Sequence, residues 1–244
     1  MSLRWHRSDE RPDLLDKRAH LVETWPAFML ESPVSHRCWG LLYERFGGLQ
    51  LLLVDDSIDE VVAEANCVPV NVDLDALPDR GWEDVLERGT TSAEVPTAVS
   101  AISIVIASDR RGEGLSRLCL ERMREAVAEH GYPDLVAPVR PSWKSRYPLV
   151  DIDRYVDWQT PEGFPFDPWL RVHARAGAEL VRVCHESMTI PGTVREWEEW
   201  AGMPFPQSGD YVVPGALTLV SIDLDADSGV YVEPNVWMHH RLAG

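Results

Sequence analysis

Residues 99–107 read VSAISIVIA, and residues 108–114 read SDRRGEG. A nearly continuous apolar run of this length, rich in β-branched residues, is typical of a strand covered on both faces. After the glycine turn, Leu115, Cys119 and Met123 recur at helical spacing, and His130 followed by a glycine indicates the helix end. The order is therefore strand, glycine turn and helix.

This order favours anion binding at the turn. A helix that begins directly after a glycine turn presents unpaired backbone N–H groups at the positive end of its dipole. Gly112 and Gly114 allow the backbone to approach an anion closely, and Arg110 and Arg111 add positive charge. The turn predicts a ligand that carries phosphate groups.

Two common phosphate-binding motifs fit this turn poorly. A Walker loop requires GxxxxGK[ST], and no lysine follows the glycines at that spacing. A Rossmann turn requires GxGxxG, but Arg117 occupies the third glycine position, where close helix packing excludes a side chain. A nucleotide-binding protein stays open as an alternative that binding of ATP would favour.

The turn resembles the coenzyme A pyrophosphate loop of the GNAT acetyltransferase family, whose motif is R/Q-x-x-G-x-G/A. Residues 111–116, RGEGLS, match all but the last position, where Ser116 replaces glycine or alanine. Residues 169–178, WLRVHARAGA, are similar to the family helix that reads approximately ALRLYERLGF. The resemblance covers about residues 99–183, a third of the chain.

This resemblance implies an α/β fold with a mixed central sheet, splayed fourth and fifth strands, and helices on both faces. It also implies acetyl-CoA, or another acyl-CoA, as co-substrate. The pantetheine arm would lie along the backbone of the fourth strand, and the pyrophosphate would lie in the loop. The implied cofactor-binding residues are Ile104, Val105, Ile106, Arg110, Arg111, Gly112, Glu113, Gly114, Leu115 and Ser116.

The resemblance also bears on catalysis. In many GNAT enzymes a tyrosine on the helix after the fifth strand protonates the departing thiolate, and His173 is aligned with it. A histidine can donate this proton, since its reference pKa of about 6.5 allows either state at neutral pH. Tyr147 and Tyr155 are alternative donors, and His173 can equally be a packing residue. No carboxylate lies within the predicted fourth strand, so the general base is unassigned.

The remaining pattern completes an α/β protein. Residues 49–54 and 61–72 predict two antiparallel strands, and residues 135–139 predict the fifth strand. Asp167 and Pro168 predict a helix start, and Thr193 with Glu196 forms a capping box for another helix. Further predicted elements are a short helix at 79–88, a strand at 179–183 and a hairpin formed by 217–224 and 230–237.

We expect one domain over residues 26–244, with insertions at about 140–166 and 190–210. Residues 1–25 are polar and are expected to form a tail or a short docking helix. The first insertion is rich in aromatic residues and can form a lid, an acceptor pocket or a cover over the core.

Charge and cysteine usage argue against several partners. The 244 residues carry 40 acidic against 23 basic side chains, a net charge of −17, which disfavours nucleic acid and suits a cationic amine. The four cysteines have no metal-ligand spacing and are expected to be reduced and buried. The adjacent His239 and His240 lack a third ligand and are expected to be exposed, so no metal is predicted.

The sequence lacks a secretion signal at residues 1–10, and its longest apolar run, 98–107, is too short to span a membrane. We therefore expect a cytoplasmic protein without a membrane partner; a homodimer is compatible with the pattern. The predicted function is acetyl transfer from acetyl-CoA to a small-molecule primary amine by direct attack. The alternatives are a non-catalytic acyl-CoA-binding sensor or interaction module, and a protein N-acetyltransferase.

Overall fold

A computed structural model describes residues 2–242, which fold around one nine-stranded sheet. The strands are β1 (Leu3–Arg7), β2 (Gln50–Asp55), β3 (Glu60–Val70), β4 (Ala98–Ile106), β5 (Asp134–Val139), β6 (Glu179–Gly192), β7 (Gly209–Tyr211), β8 (Val220–Asp223) and β9 (Ser228–Arg241). The helices are α1 (Pro33–Phe46), α2 (Gly81–Thr91), α3 (Leu115–Glu129), α4 (Ile152–Val156), α5 (Pro168–Arg175) and α6 (Val194–Ala201). None of the helices in this range is both long enough and apolar enough to cross a bilayer.

The strand order is β1-β2-β3-β4-β5-β9-β8-β7, and β6 pairs with the other edge of β9. Every pairing is antiparallel except that of β4 with β5. A parallel neighbour needs a crossover connection, and α3 supplies it between β4 and β5. The sheet is therefore mixed, as the sequence predicts.

Helices cover both faces of the sheet. Alternation along β3 directs Ala63 and Ala65 toward the core under α3, and Val68 and Val70 toward the core under α1 and α2. Leu135 and Ala137 of β5 share the α3 face, where α5 also packs. We call this side the α3 face and the opposite side, which α6 also covers, the α1 face.

The β4 and β5 strands separate after two residue pairs. They pair only through Val99 with Leu135 and Ser100 with Val136, although β4 continues to Ile106. We call the gap beyond these pairs the β4–β5 opening. Its presence confirms the predicted splay of the fourth and fifth strands.

One backbone carbonyl next to the opening is satisfied by a side chain. The indole N–H of Trp82, on α2, donates to the carbonyl oxygen of Ile102 at 2.8 Å. A carbonyl in a buried position without such a donor costs free energy, since water cannot replace the lost partner. Trp82 thus stabilises β4 where β5 no longer does.

The Trp82→Phe variant is expected to lose about 2 kcal/mol of unfolding free energy, because the ring still packs but the donor is gone. Chemical denaturation measures the difference. A matched control is Trp200→Phe on α6, whose indole makes no hydrogen bond within residues 2–242. Equal losses in both variants would contradict a role for the Ile102 contact.

The N-terminal residues are more ordered than a tail. Residues 3–7 form an edge strand on β2, and a 3-10 segment, Pro12–Thr24, docks on the sheet through Leu14 and Leu21, both fully buried. The loosely helical spacing of apolar residues in this part of the sequence predicted a docking segment but no strand. The strand β1 depends on the edge that β2 offers, which is a tertiary feature.

Candidate active site

The glycine turn leaves the start of α3 open. Gly112 and Gly114 have φ values of +88° and +79°, and Gly114 caps α3 without any side-chain hydrogen bond. A Cβ atom added at either glycine would meet nothing within 4 Å. Within residues 2–242, the N–H groups of Leu115 and Ser116 make no hydrogen bond. These donors and this space fit an anion such as a pyrophosphate.

The two arginines of the turn have different surroundings. Arg110 is 8% exposed, and its guanidinium lies 3.2 Å from Asp55 Oδ2 and 2.9 Å from Glu113 Oε1. Its positive charge is thereby compensated, and it ties the turn to the end of β2. Arg111 is exposed and is the arginine that can face a ligand. The cofactor role of both stays a prediction.

His173 lies away from the opening. It is 2% exposed, and its Nδ1 lies 2.9 Å from Nε2 of His240. His240 pairs with Leu135, which lies at the joined end of β4 and β5. Burial, and then the His240 charge, holds the pKa of His173 well below its ordinary value. The structure therefore brings His173 together with His240 and not with the glycine turn.

The expectation that His239 and His240 are exposed is wrong. His240 is 1% exposed, and His239 lies 2.7 Å from Asp134. Both belong to β9, which is covered on its two faces and paired on its two edges. A buried strand position overrides the preference of histidine for the surface.

The His173–His240 pair predicts acid sensitivity. Burial lowers the pKa of His240 to about 4, whereas the residue in the unfolded chain titrates near the ordinary histidine value of about 6.5. The unfolded chain therefore binds more protons below pH 6.5, and stability is lost as the pH falls from about 6.5 toward 4. At pH 5 we expect a loss of roughly 2 kcal/mol from His240, and burial of His173 adds a loss in the same direction. Urea denaturation at pH 7.5 and 5 measures it.

The control for this prediction is the exposed His36→Gln, which should keep the full pH dependence. The His173→Leu, His240→Leu double variant should have a flatter profile. An unchanged slope in the double variant would rule out the pair as its source.

The aromatic segment after β5 is built around Asp167. This carboxylate is 1% exposed and accepts hydrogen bonds from the Ser142 and Trp143 backbone, the Tyr155 hydroxyl and the first turn of α5. The segment is therefore a packed element on the α3 face. It includes α4 and contacts β5 and β9 through a shared apolar cluster.

Tyr147 and Tyr155 differ within this cluster. The Tyr155 hydroxyl is committed to Asp167 at 2.9 Å, and burial raises the pKa of Tyr155 far above its ordinary value. The Tyr147 ring packs on Trp158 and Phe166, but its hydroxyl makes no hydrogen bond within the described chain. Of the two tyrosines, Tyr147 keeps a proton free to donate.

A first polar network lies on the α1 face of β3 and β4. Asn66 donates to Ser103 Oγ at 3.0 Å, and the Tyr43 hydroxyl donates to Asn66 at 3.0 Å. Glu64, 3% exposed, accepts a hydrogen bond from Arg18 at 3.1 Å. Burial raises the pKa of Glu64, while Arg18 opposes the shift. This network reaches β4 at Ser103, three residues beyond its last pair with β5.

A second network reaches β4 at the neighbouring residue. The Trp82 backbone N–H donates to Ser187, which donates to Asn235 at 2.7 Å. Asn235 in turn donates to Glu233 at 3.2 Å, and Arg140 pairs with Glu233 at 2.8 Å. Tyr231 donates to the same carboxylate at 2.8 Å. Since Trp82 also bonds to Ile102, both networks meet beside the β4–β5 opening.

Neither Glu64 nor Glu233 belongs to a motif that the sequence pattern singles out. Glu64 stands in a mostly apolar stretch, VVAEANCV, and a charged residue at a predicted buried position is a signal that could have singled it out. The pairing of Glu64 with Arg18 has no such signal, because 46 residues separate them.

The cysteines are free and buried, as predicted. Cys119 lies in the α3 core, and burial raises its pKa to about 12. A thiol in that state is a poor nucleophile at neutral pH, in agreement with direct attack.

Comparison with known proteins places this geometry in a family. No protein-family model matches the sequence. The arginine N-acetyltransferase avaD of Aspergillus versicolor is 32% identical over 265 residues, covering 97% of this chain and 91% of that protein. The chain therefore belongs to the GNAT N-acetyltransferase family.

Solved structures share the fold. The loading GNATL domain of CurA from Lyngbya majuscula superposes with a TM-score of 0.65 at 16% identity, covering 99% of this chain and 97% of that one. A GphF GNAT-like decarboxylase in complex with isobutyryl-CoA gives a TM-score of 0.58 at 16% identity, with full coverage of both chains. The predicted fold class and the prediction of an acyl-CoA-dependent N-acyltransferase are confirmed.

Proposed function

We propose that this protein transfers the acetyl group of acetyl-CoA to the amine of a small cationic molecule, and that arginine is the acceptor to test first. The observation that carries the proposal is the β4–β5 opening, which leads from the glycine turn to two polar networks on the α1 face. The relationship to an arginine N-acetyltransferase supports the acceptor class.

On the donor side, the open N–H groups at the start of α3 bind the pyrophosphate, and Arg111 adds charge. Arg110 holds the turn against β2 through Asp55. The backbone of Ile104, Val105 and Ile106 lies past the last pair with β5 and is available to the pantetheine arm. These are the residues that the sequence predicts to bind the cofactor.

The acceptor nitrogen attacks the thioester carbonyl, so a C–N bond forms and the C–S bond breaks. The ammonium first gives up one proton, because only the neutral amine has a lone pair. The nitrogen, which is positively charged after the attack, loses its second proton to solvent. The thiolate leaves with a proton from the Tyr147 hydroxyl, which solvent then restores. His173 stays as the second candidate donor, although its burial beside His240 gives it no path to the opening.

The test is a thiol-release assay with acetyl-CoA and a set of amines, with mass spectrometry of the product. Arginine should release CoA and gain an acetyl group. Citrulline, which has nearly the same shape but no side-chain charge, should react far more slowly. Tight acetyl-CoA binding without thiol release for any cationic amine would overturn the proposal and favour a non-catalytic binding module.

Transfer to a peptide N-terminus but not to free arginine would instead identify a protein N-acetyltransferase. That outcome also overturns the proposed acceptor. A short peptide series therefore belongs in the same assay.

A further inference from the structure

The α1 face contains a cation site that the chain fills itself. The Arg18 guanidinium lies 4.5 Å from the centre of the Tyr43 ring and 3.1 Å from Glu64 Oε2. A carboxylate and an aromatic face around one guanidinium are the standard elements of cation recognition, since both attract positive charge. The Glu64 side chain is only 4% exposed, so water screens this attraction weakly.

Another buried carboxylate on this face, that of Glu233, is already saturated. Glu233 accepts hydrogen bonds from Arg140, Tyr231 and Asn235, which use both of its oxygens. Arg18 donates to one oxygen of Glu64, Oε2, and the Tyr43 hydroxyl, whose proton goes to Asn66, lies 3.5 Å from the same oxygen. Burial raises the pKa of Glu64 in spite of Arg18. Among the described residues, Glu64 therefore has fewer hydrogen-bond partners than Glu233.

Arg18 is a loosely held occupant. Its Nε is buried without a hydrogen-bond partner within residues 2–242, and its side chain keeps 19% of its surface exposed. It belongs to the 3-10 segment Pro12–Thr24, which Leu14 and Leu21 keep docked. Exchange of the guanidinium therefore needs only rotation of one flexible side chain, not removal of the segment.

The site also lies close to the β4–β5 opening. Glu64 pairs in register with Val105 of β4, and Asn66 connects the same network to Ser103. A ligand group bound at Glu64 of β3 thus lies beside β4, the strand that the proposed function assigns to the acyl donor. Trp82 and Ile102, which lie beside the opening, are on this same α1 face.

We propose that the site formed by Glu64 and Tyr43 binds the cationic group of the acceptor, a guanidinium or primary ammonium, and that Arg18 occupies it when no acceptor is bound. The role as an acceptor subsite rests on the proposed function, whereas the affinity of the site for a guanidinium does not. Arg18 acts as an internal competitor that raises the concentration of acceptor needed for binding.

The first experiment measures thermal stability with methylguanidinium as the probe. Arg18→Ala leaves Glu64 buried without its partner, so Tm should fall by roughly 3–8 °C. Methylguanidinium at low millimolar concentration should restore most of the loss in Arg18→Ala but none in Arg18→Ala, Glu64→Gln. The matched control, Arg37→Ala, removes an exposed arginine that pairs with Glu87 and should respond like the wild type.

The second experiment measures the KM for arginine. Removal of the competitor should lower KM about 10-fold in Arg18→Ala, while KM for citrulline stays unchanged. If methylguanidinium affects all variants equally, the site is a structural ion pair and the inference is wrong. If the rescue occurs but no amine is acetylated, the guanidinium site stands and the proposed function fails.

Discussion

Reversal of charge at Arg111 is expected to weaken acetyl-CoA binding about 100-fold without changing stability. The Arg111→Glu variant replaces a favourable charge-assisted contact with repulsion of the pyrophosphate, and such contacts contribute roughly 1.5–3 kcal/mol. Since Arg111 is exposed and makes no hydrogen bond within the described residues, the fold should tolerate the change. Isothermal titration with acetyl-CoA measures the affinity, and Tm checks the fold.

The control is Arg195→Glu, which makes the same change in net charge on the exposed surface of α6. It should bind acetyl-CoA like the wild type. If both variants lose affinity equally, the effect is one of overall charge. If Arg111→Glu binds normally, the pyrophosphate does not lie at this turn.

Removal of the Tyr147 hydroxyl is expected to lower kcat about 1000-fold while KM changes little. General acid catalysis by a positioned side chain contributes roughly 10²–10⁴-fold. The Tyr147→Phe ring still packs on Trp158 and Phe166, and the lost hydroxyl has no partner among residues 2–242, so stability should not change. Steady-state kinetics with a saturating acceptor gives the two parameters separately.

Tyr155→Phe is the matched control. It removes a hydroxyl from the same cluster, but one that bonds to Asp167, so it should cost about 1 kcal/mol of stability and leave kcat nearly intact. An acyl-CoA analogue with a more acidic thiol should restore the rate of Tyr147→Phe, since its thiolate leaves without a proton. A full rate in Tyr147→Phe together with a large loss in His173→Gln would instead make His173 the donor.

The sequence predicted the elements whose signals are local. The run at 99–107, the two glycines and the helical spacing after them gave β4, the turn and α3. Asp167 caps α5, and Thr193 with Glu196 forms the capping box of α6, because both motifs act within one helical turn.

Features that depend on distant residues were not predictable in this way. The helix α1 carried no prediction, although Ser32 caps it and a proline follows. The compensation of Arg110 by Asp55 spans 55 residues, so spacing alone assigned Arg110 to the ligand. The environments of His173, Glu64 and Tyr147 are likewise set by which strands become neighbours, which no local pattern encodes.

The arrangement of β9 affects how the chain must fold. The strand β5 pairs with β4 through two residue pairs but with β9 through six, from Asp134–Arg241 to Val139–Val236. Until β9 is synthesised and docked, β5 therefore presents an almost bare edge, and such edges recruit other chains. Because β9 follows every other strand in sequence, the nascent protein passes through an aggregation-prone stage that ends only when this last strand closes the sheet. Slow amide exchange along β9 would then report global unfolding, since both of its edges are paired.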